Sequence, residues 1–283
     1  MIAPAALPAH ITVSVVSHGH GAQVDALLGE LAALGEARLK RVIVTLNRPE
    51  PDWAARWRAH DWPFDLLLAQ PPEPLGFGAN HNRAFALDGQ AGGGQPLFAV
   101  LNPDLRLRAN PFEPLVAALR ADDRAGAAYP VQRDAAGRAQ DHERRWPTLG
   151  RLLTRYLLRR RHEVGEGERP DWVNGAFLLL RHAAYAGVGG FDERYHMYCE
   201  DVDLCLRLQA AGWRLARADA AVVEHTAQRN SHRRMQHLAW HLRSLWRLWC
   251  SPAWRHRPRH GAPAGRGTGT GRGWGYQFAE FYS

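Results

Sequence analysis

Short apolar runs and segments of helical periodicity alternate along the first hundred residues. Four runs have the length and composition of strands, namely 11–17, 41–46, 64–69 and 96–101. Apolar positions recur at helical spacing over 23–34 and from Asn80 onward. Such runs are typical of strands buried on both faces, and strands that alternate with helices form a parallel sheet. The pattern therefore predicts an α/β protein with a Rossmann-like, mostly parallel sheet flanked by helices.

A polar cluster follows the fourth run. The sequence there reads Leu101-Asn102-Pro103-Asp104, which places Asp104 at the carboxyl end of a strand. Ligands of open α/β sheets bind in the crevice beyond the carboxyl ends of the strands, where a carboxylate can hold a divalent cation. Asn-Pro-Asp is also good turn chemistry, and both interpretations stay open on these residues alone.

A second acidic cluster lies in the second half of the chain. Glu200, Asp201 and Asp203 open a segment of helical periodicity that ends at Gly212. Carboxylates in a first helical turn complement the helix dipole by roughly 0.3–1 kcal/mol each, so one interpretation is purely structural. A single carboxylate would suffice for that role. Here three carboxylates occur within four positions, beside a Gly-Gly loop and several aromatic residues. This arrangement indicates a site where a base accepts a hydroxyl proton.

Between these clusters and the first strands lies a glycine-containing segment, LGFGANHN at 75–82. Gly76 and Gly78 would let the backbone approach a ligand, and Asn82 would offer its amide to a base, ribose or phosphate. The segment is not the dinucleotide fingerprint, which requires G-x-G-x-x-G after the first strand. A glycine loop alone is weak evidence for ligand contact.

Composition fits a globular enzyme of 283 residues, 46% of them hydrophobic. No apolar run reaches the roughly 18 residues expected of a membrane-spanning helix. The first residues lack the basic and apolar regions of a secretory signal. The three cysteines match neither a metal spacing nor a disulfide framework. These features predict a cytoplasmic protein.

Positive charge concentrates near the carboxyl terminus. Residues 225–279 contain ten arginines and no Asp or Glu. Their ten positive charges exceed the formal net charge of the whole chain, which is +8. Residues 232–250 interleave arginines with apolar positions at helical spacing, which are Leu238, Leu242, Leu245, Trp246 and Trp249. We therefore expect a catalytic domain over 1–231, a basic amphipathic helix over 232–250 and a disordered Gly/Arg/Pro-rich tail over 251–283.

The pattern of the basic helix is equally compatible with two locations of this helix. The helix would lie on an anionic membrane surface, which predicts peripheral contact with the cytoplasmic face of the membrane, or it would pack on the catalytic domain with a solvated basic side. The tail could bind nucleic acid electrostatically, but no recognition module precedes it, so no specific nucleic acid is expected.

The order of the motifs resembles a known family. The segments ITVSVVS, LGFGANHN, AVLNPDL, WVNGAFLLLR, GGFDERYHMYCEDVDLCLRLQAAGW and VVEH are similar to those of the inverting glycosyltransferases of family 2. The similarity is strongest to the rhamnosyltransferase-like branch that builds surface polysaccharides, where the Arg-aromatic-Pro-Thr patch at 145–148 also occurs. It covers roughly residues 11–250, and its most specific parts are LNPD and EDVDLCLR.

This resemblance implies a GT-A fold, a nucleotide-sugar donor linked to dTDP or UDP, a saccharide or lipid-linked acceptor, and Mg²⁺ or Mn²⁺. It implies that Asp104 and His225 bind the metal, and that Asp201 is the catalytic base with Glu200 as its neighbour and less favoured substitute. Residues 172–176 would form the wall between donor and acceptor. The residues expected to contact the nucleotide sugar are Ser17, Asn47, Gly76, Gly78, Asn82, Asn102, Asn174 and Gly175.

One departure from the family concerns donor recognition. Where relatives carry Asp-Asn after the second strand, this chain has Leu46-Asn47, followed by Arg48-Pro49-Glu50. Leucine cannot accept the hydrogen bond that the aspartate takes from the base. Recognition of the base would then come from backbone groups near Ser17, from Asn47 or from Asn82, or it would be looser than in relatives. Beside an active transferase, the sequence therefore leaves open a catalytically weak sugar-nucleotide binding protein and, third, a nucleic-acid-binding protein that uses the arginine-rich tail.

Overall fold

A computed structural model of the chain describes residues 10–92, 94–157, 163–165, 167–225 and 234–257. Two sequence predictions therefore fall partly outside the described residues. These are the first residues of the basic helix, 232–233, and the Gly/Arg/Pro-rich tail beyond residue 257.

Over the first hundred residues the strands and helices alternate as the sequence pattern predicts. The strands are β1 (Ile11–Ser17), β2 (Leu39–Leu46), β3 (Asp65–Ala69), β4 (Leu97–Leu101), β5 (Leu105–Arg106), β6 (Ala125–Arg133), β7 (Glu143–Arg144), β8 (Trp172–Val173), β9 (Phe177–Arg181) and β10 (Arg214–His225). The helices are α1 (Gly21–Ala33), α2 (Pro51–Ala59), α3 (Phe77–Gln90), α4 (Phe112–Ala121), α5 (Leu149–Leu157), α6 (His182–Gly187), α7 (Glu200–Ala210), α8 (Arg234–Cys250) and α9 (Pro252–Arg255).

Eight strands form one sheet in the order β3-β2-β1-β4-β9-β6-β10-β5. The pairs β3-β2, β2-β1, β1-β4 and β6-β10 are parallel, whereas β9 runs antiparallel to both of its neighbours and β5 runs antiparallel to β10. Because β9 reverses direction between β4 and β6, the strands β1, β2, β4, β6 and β10 all end at the same edge of the sheet. The predicted Rossmann-like, mostly parallel sheet is confirmed, and these five carboxyl ends lie together at the edge where open α/β sheets bind ligands.

Apolar cores cover both faces of the sheet. One core joins α1, α2 and α4 to the sheet and includes the fully buried Leu27, Trp57 and Leu119. The other lies under α3, α6 and α7 and includes Tyr185 and Leu206. The central strand β4 is buried at every position, as expected for a strand covered on both faces.

Helix α3 differs from its sequence prediction. It begins at Phe77, not at Asn80, so Gly78 is helical instead of part of a loop. The reason is tertiary, because a Cβ atom on Gly78 would lie 2.5 Å from Cβ of Phe191. Only a residue without a side chain lets the first turn of α3 approach the 191–196 segment this closely.

Helix α8 packs on the rest of the protein along one side. Leu245 and Leu248 are buried in the second core, and Ser244 Oγ donates a hydrogen bond of 2.9 Å to the Met197 carbonyl. On another side of the helix, Leu242 and Trp246 remain exposed. Of the two locations that the sequence left open, α8 therefore packs on the rest of the protein. In this location the side chains of Leu242 and Trp246 stay exposed.

The first described residues of the segment predicted as the tail include a short helix, α9. Ser251 caps α9 by accepting a 3.1 Å hydrogen bond from the backbone N–H of Trp254, and Pro252 occupies the first turn, where proline is tolerated. The Trp254 ring is buried and lies edge-on to Trp146. None of the described helices combines the length and the apolar character that crossing a bilayer requires.

Candidate active site

The carboxyl ends of β4 and β10 bring Asp104 and His225 together. Asp104 lies in the turn after β4, and the next residue, Leu105, pairs with His225 across the β5–β10 ladder. His225 Nε2 lies 3.4 Å from Asp104 Oδ1, and both side chains are largely buried. The two residues that the resemblance implies as metal ligands are thus neighbours at the edge of the sheet where α/β proteins bind ligands.

The hydrogen bonds of His225 suit a cation ligand. Its Nδ1 lies 3.0 Å from Gln140 Oε1, while Gln140 Nε2 donates to the His225 carbonyl at 2.5 Å. Since Gln140 Oε1 can only accept, Nδ1 carries a proton and Nε2 is the atom that faces the Asp104 carboxylate. A proton or a metal ion would bridge this pair, and a histidine whose Nδ1–H is held by a protein acceptor is typical of metal sites, so the pair fits a divalent metal oriented by Gln140.

The metal site would be shared with the substrate. Among the described residues, no group of three or more His, Cys, Asp or Glu side chains has a metal-binding arrangement. With two protein ligands, Mg²⁺ or Mn²⁺ would complete its coordination with diphosphate oxygens and water, which is how Mg²⁺ is commonly held.

A strained turn leads into α7. Tyr198 and Cys199 both have left-handed backbone angles, with φ of 72° and 64°. For residues other than glycine such angles cost of order 1–3 kcal/mol each and cluster at functional sites. The turn places Glu200 and Asp201 in the first turn of α7, where the helix dipole favours negative charge.

The three acids of this turn have different surroundings. Asp203 accepts a 2.6 Å hydrogen bond from Arg207 Nε, and Arg207 also donates to the carbonyls of Val188 and Gly190. Asp203 therefore ties α7 to the 188–190 loop. No described arginine, lysine or histidine side chain is hydrogen-bonded to Glu200 or Asp201, and both line a pocket.

The Asp201 carboxylate is held in place by backbone groups. Its Oδ1 accepts a 2.8 Å hydrogen bond from the N–H of Val202, and its Oδ2 accepts one of 3.3 Å from the N–H of Gly175. Burial raises the pKa of Asp201, while the Val202 hydrogen bond and the positive charge of Arg144 offset part of that effect. A fixed carboxylate whose pKa is raised is a better proton acceptor than a solvated one.

Glu200 complements Asp201 as the protonated partner of the pair. Burial and the charge of Asp201 raise the pKa of Glu200 to about 8. Its Oε2 is buried and has no hydrogen-bond partner among the described residues. At neutral pH Glu200 is therefore expected to keep its proton, while Asp201 is the carboxyl group of the pair whose charged form is stabilised by the Val202 and Gly175 N–H groups and by Arg144.

We expect the Glu200→Gln variant to gain stability relative to wild type as the pH rises. The folded protein keeps the Glu200 proton up to about pH 8, whereas the unfolded chain releases it near 4.5. The folded state binds more protons in that window, so the wild-type free energy of unfolding falls as pH rises through it. Glutamine cannot ionise, which removes that loss of at least about 1 kcal/mol, or roughly 2–4 °C in Tm.

Thermal unfolding of both proteins at about pH 5 and about pH 9 measures this effect. The exposed Glu73→Gln exchange is a matched control, because the side chain of Glu73 lies in solvent. Equal differences between Glu200→Gln and wild type at the two pH values would contradict the assignment of the proton to Glu200.

The segment 174–176 connects the two acidic sites. The Asn102 N–H donates a 2.8 Å hydrogen bond to the Ala176 carbonyl, and the neighbouring Gly175 N–H donates to Asp201. A Cβ atom on Gly175 would lie 3.3 Å from the Phe77 ring, so glycine suits this contact. The loop that carries Asp104 and the carboxylate of Asp201 thus contact the same stretch of backbone from different sides.

The wall predicted over 172–176 is reinforced by one side-chain pair. The Asn174 and Gln132 amides exchange two hydrogen bonds, of 2.7 Å and 3.0 Å. This pairing fixes the position of Asn174 at the carboxyl end of β6. Its predicted contact with the nucleotide sugar, like that of Gly175, stays a prediction.

A pocket opens beside Asp201. Its wall is formed by α5, the residues around β7, the start of α7 and one side of α8. Tyr198 and His241 line it with their rings 5.2 Å apart. Asp104 does not line this pocket. The pocket therefore contains the predicted base but not the predicted metal ligands.

The end of β1 is organised by Glu50, a residue absent from the predicted site. Its carboxylate accepts hydrogen bonds from Ser17 Oγ at 2.5 Å, from the Gly19 N–H at 3.2 Å and from the Gly21 N–H at 2.8 Å. Ser17 lies at the predicted edge, but its hydroxyl proton is used here. An acid placed shortly after β2 is the sequence signal that could have marked Glu50.

Asn47 and Asn82 have amides occupied by protein partners. Asn47 exchanges hydrogen bonds of 2.8 Å and 3.0 Å with the backbone of Leu75. Asn82 donates to the Phe191 carbonyl and Glu193, and accepts from Tyr185 and the Phe191 N–H. All of the hydrogen-bonding capacity of Asn82 is used, so the structure favours a structural role over the predicted donor contact.

The glycines at 76 and 78 also contact protein. A Cβ atom on Gly76 would lie 2.7 Å from the His196 carbonyl oxygen, and that carbonyl accepts a hydrogen bond from the Phe77 N–H. The absence of side chains here is explained by packing on the 191–196 segment. The close approach predicted for a ligand is thus made by the protein's own backbone.

Comparison with known sequences finds relatives along most of the chain, although no protein-family model matches it. The chain is 31% identical over 256 residues to the N-acetylglucosaminyl-diphospho-decaprenol L-rhamnosyltransferase of Mycobacterium tuberculosis, covering 83% of this chain and 82% of the relative. It is 28% identical over 247 residues to the rhamnosyltransferase WbbL of Escherichia coli, and the match covers 84% of this chain and 91% of the relative.

Solved structures share the fold at lower identity. The mannosyltransferase PcManGT from Pyrobaculum calidifontis, in complex with GDP-Man and Mn²⁺, superposes with a TM-score of 0.58 and 18% identity, covering 84% of this chain and 64% of that one. Residues 1–349 of S. aureus TarS, in complex with UDP-GlcNAc, superpose with a TM-score of 0.57 and 14% identity. This match covers 79% of this chain and 60% of the TarS chain.

Proposed function

The chain belongs to the rhamnosyltransferase-like branch of the family 2 glycosyltransferases, and from this premise we propose which residues transfer the sugar and between which substrates. The enzyme moves a sugar, with inversion, from a nucleoside diphosphate to a saccharide or lipid-linked acceptor in surface polysaccharide synthesis. One observation carries the assignment of residues: the Asp104 loop and the Asp201 carboxylate both hydrogen-bond the 174–176 segment.

The donor belongs on the side of Asp104 and His225. Similar sequences are named rhamnosyltransferases, which supports rhamnose as the sugar, carried by dTDP or UDP. Similar structures were solved with nucleotide sugars, one of them with Mn²⁺, which supports the same arrangement here. Asp104 and His225 would hold Mg²⁺ or Mn²⁺ at the diphosphate. When bound, such an ion stabilises the negative charge of the leaving group as a Lewis acid.

The acceptor belongs on the side of Asp201. A sugar hydroxyl is a weak nucleophile at neutral pH, so a positioned base assists its attack. Asp201 takes the hydroxyl proton while the oxygen bonds to the anomeric carbon. The bond from that carbon to the diphosphate breaks at the same time, and its electron pair leaves with the nucleoside diphosphate.

The charge state of the acidic pair supports this role. Glu200 keeps its proton at neutral pH because burial and Asp201 raise its pKa to about 8. Asp201 is therefore the carboxylate that is free to accept a proton. One displacement on one face of the sugar inverts the anomeric centre, and no covalent intermediate with the enzyme is needed.

The acceptor would be met at the cytoplasmic face of the membrane. The named substrate of the mycobacterial relative is a lipid-linked sugar diphosphate, which supports a lipid-linked acceptor for this chain as well. Helix α8 supports peripheral contact with the membrane, because it exposes Leu242 and Trp246 and has no acidic residue along its length.

A transfer assay tests the proposal. The protein is incubated with Mn²⁺, with dTDP-, UDP- or GDP-linked rhamnose, and with a prenyl-diphosphate-linked N-acetylglucosamine. We expect acceptor-dependent release of the nucleoside diphosphate, and a product whose anomeric configuration is opposite to that of the donor. Donor binding without transfer to any acceptor would instead support a sugar-nucleotide binding protein, and retention of configuration would rule out the single displacement.

A further inference from the structure

The pocket beside Asp201 contains cations that the reaction described above does not use. Four arginines line it, which are Arg144, Arg145, Arg151 and Arg155. Three acids also line it, which are Glu163, Glu200 and Asp201. Because Glu200 keeps its proton at neutral pH, the lining has more positive than negative groups. The pocket thus combines the proposed base with groups that bind anions.

Acids in and behind the wall hold the arginines in position. Asp141 pairs with Arg155 and Arg144, and Glu168 and Asp171 lie beside Arg145. These ion pairs fix the direction of each guanidinium group. They also neutralise part of its charge, so the four arginines are not equally available to a ligand.

Arg151 is the most available of the four. Its guanidinium is held by a long contact of 3.5 Å to Asp171 Oδ2, an oxygen that already accepts a 2.6 Å hydrogen bond from the Trp146 N–H. Its side chain is 39% exposed, the largest exposed fraction of the four. A guanidinium with donors to spare at the mouth of a pocket is well suited to a phosphate, which it can bind through two parallel hydrogen bonds.

The two helices beside the pocket also expose large apolar side chains. Helix α5 exposes Leu149 and Leu153, and helix α8 exposes Leu242 and Trp246, each between 58% and 69%. In the part of the chain that the structure describes, the only other exposed large hydrophobic residue is Val222, at 40%. Apolar side chains concentrated beside one pocket mark a site for an apolar partner.

We propose that this pocket binds the diphosphate of a prenyl-linked saccharide acceptor through Arg151, and that the prenyl chain runs over the exposed apolar side chains of α5 and α8. Such an acceptor has three parts, which are a sugar, a diphosphate and a prenyl chain. The sugar hydroxyl needs a base, the diphosphate needs a cation, and the prenyl chain needs an apolar surface. Asp201 and Arg151 line the pocket and supply the base and the cation, and the helices α5 and α8, which form part of its wall, expose the apolar side chains. The inference rests on the proposed function, because it takes Asp201 as the group that faces the acceptor sugar.

Inhibition by farnesyl diphosphate tests the inference, since this compound has the diphosphate and the prenyl chain but no sugar. We expect it to inhibit transfer by the wild type in competition with the acceptor, and we expect Arg151→Ala to raise its inhibition constant about tenfold, the loss of one charge-assisted hydrogen bond. Arg58→Ala is the matched control, because Arg58 is exposed on α2. An unchanged constant in Arg151→Ala, no inhibition of the wild type, or competition with the donor would each overturn the inference.

A second variant tests the apolar part of the site. Trp246→Ala should weaken inhibition by farnesyl diphosphate several-fold, as expected when a buried contact of a large aromatic ring is lost, and should leave inhibition by inorganic pyrophosphate unchanged. Equal effects on both inhibitors, or none on either, would overturn the placement of the prenyl chain. Both residues are exposed, so the fold should tolerate their replacement, and circular dichroism verifies this.

Failure of the proposed function would look different. If the wild type transferred no sugar, calorimetry would still measure farnesyl diphosphate binding to the wild type and to Arg151→Ala. Tighter binding by the wild type would support the pocket while the function failed. Transfer by the wild type without any effect of Arg151 would reject the pocket alone.

Discussion

Asp201→Asn is expected to lower turnover by about 10²–10⁴-fold while donor binding stays close to that of wild type. Asparagine has the same shape as aspartate and can still accept the hydrogen bond of the Val202 N–H through its side-chain oxygen. The position of the side chain should therefore be kept, but an amide cannot take the proton of the acceptor hydroxyl. The effect should appear in kcat, with the KM for the donor nearly unchanged.

Steady-state kinetics with the lipid-linked acceptor measures this effect. Asp219→Asn is a suitable control, because the side chain of Asp219 is 80% exposed on β10. Glu200→Gln should keep far more activity than Asp201→Asn, since Glu200 holds its proton at neutral pH. Wild-type turnover in Asp201→Asn, or the larger loss in Glu200→Gln, would transfer the role of base to another residue.

Asp104→Ala is expected to remove the metal-dependent part of donor binding. Asp104 Oδ1 and His225 Nε2 converge at 3.4 Å, so loss of the carboxylate leaves a single protein ligand for the ion. The donor Kd of the variant in Mn²⁺ should then rise at least about tenfold and match the value that wild type shows with a chelator. Isothermal titration with the nucleoside diphosphate, with and without Mn²⁺, measures both values.

Gln140→Leu provides a graded comparison for this prediction. Gln140 is not one of the proposed metal ligands, but it orients His225 by accepting a hydrogen bond from Nδ1. Loss of such an orienting partner should weaken metal affinity by roughly 10–100-fold without abolishing the metal effect. Wild-type, Mn²⁺-dependent donor binding by Asp104→Ala would show that the metal site lies elsewhere.

The sequence was sufficient to predict the strands β1 to β4 and the location of the two acidic clusters relative to the elements that carry them. Strand β4 is five apolar residues long and buried throughout, so its pattern predicts both the strand and the position of Asp104 at its end. Helix α7 has clear apolar periodicity, and its first turn holds three acids within four positions. In both places the signal is local, so no knowledge of distant residues is needed.

Contacts between distant segments were not predictable in the same way. Gly78 and Asn82 look like ligand-binding residues, but they contact Phe191, which lies more than a hundred positions away. The hydrogen bonds of Glu50 to the end of β1 likewise depend on how the loop after β2 folds back. A glycine or an asparagine has the same appearance in a sequence whether it contacts a ligand or another part of the chain.

Helix α8 shows a third kind of limit. Its periodicity predicts an amphipathic helix but not which apolar residues are covered by the protein. In the structure Leu245 and Leu248 are buried, whereas Leu242 and Trp246 are exposed. Packing on the domain and contact with a lipid surface are therefore compatible, because they use different sides of the same helix.

A structure of the protein with Mn²⁺, a non-hydrolysable nucleotide sugar and a short lipid-linked acceptor tests the central claim most directly. We expect the anomalous signal of the ion within bonding distance of Asp104 Oδ1 and His225 Nε2, next to the diphosphate. We also expect the acceptor hydroxyl at Asp201, on the face of the donor sugar opposite the diphosphate. An ion bound away from Asp104, or a donor sugar that cannot reach Asp201, would contradict the account.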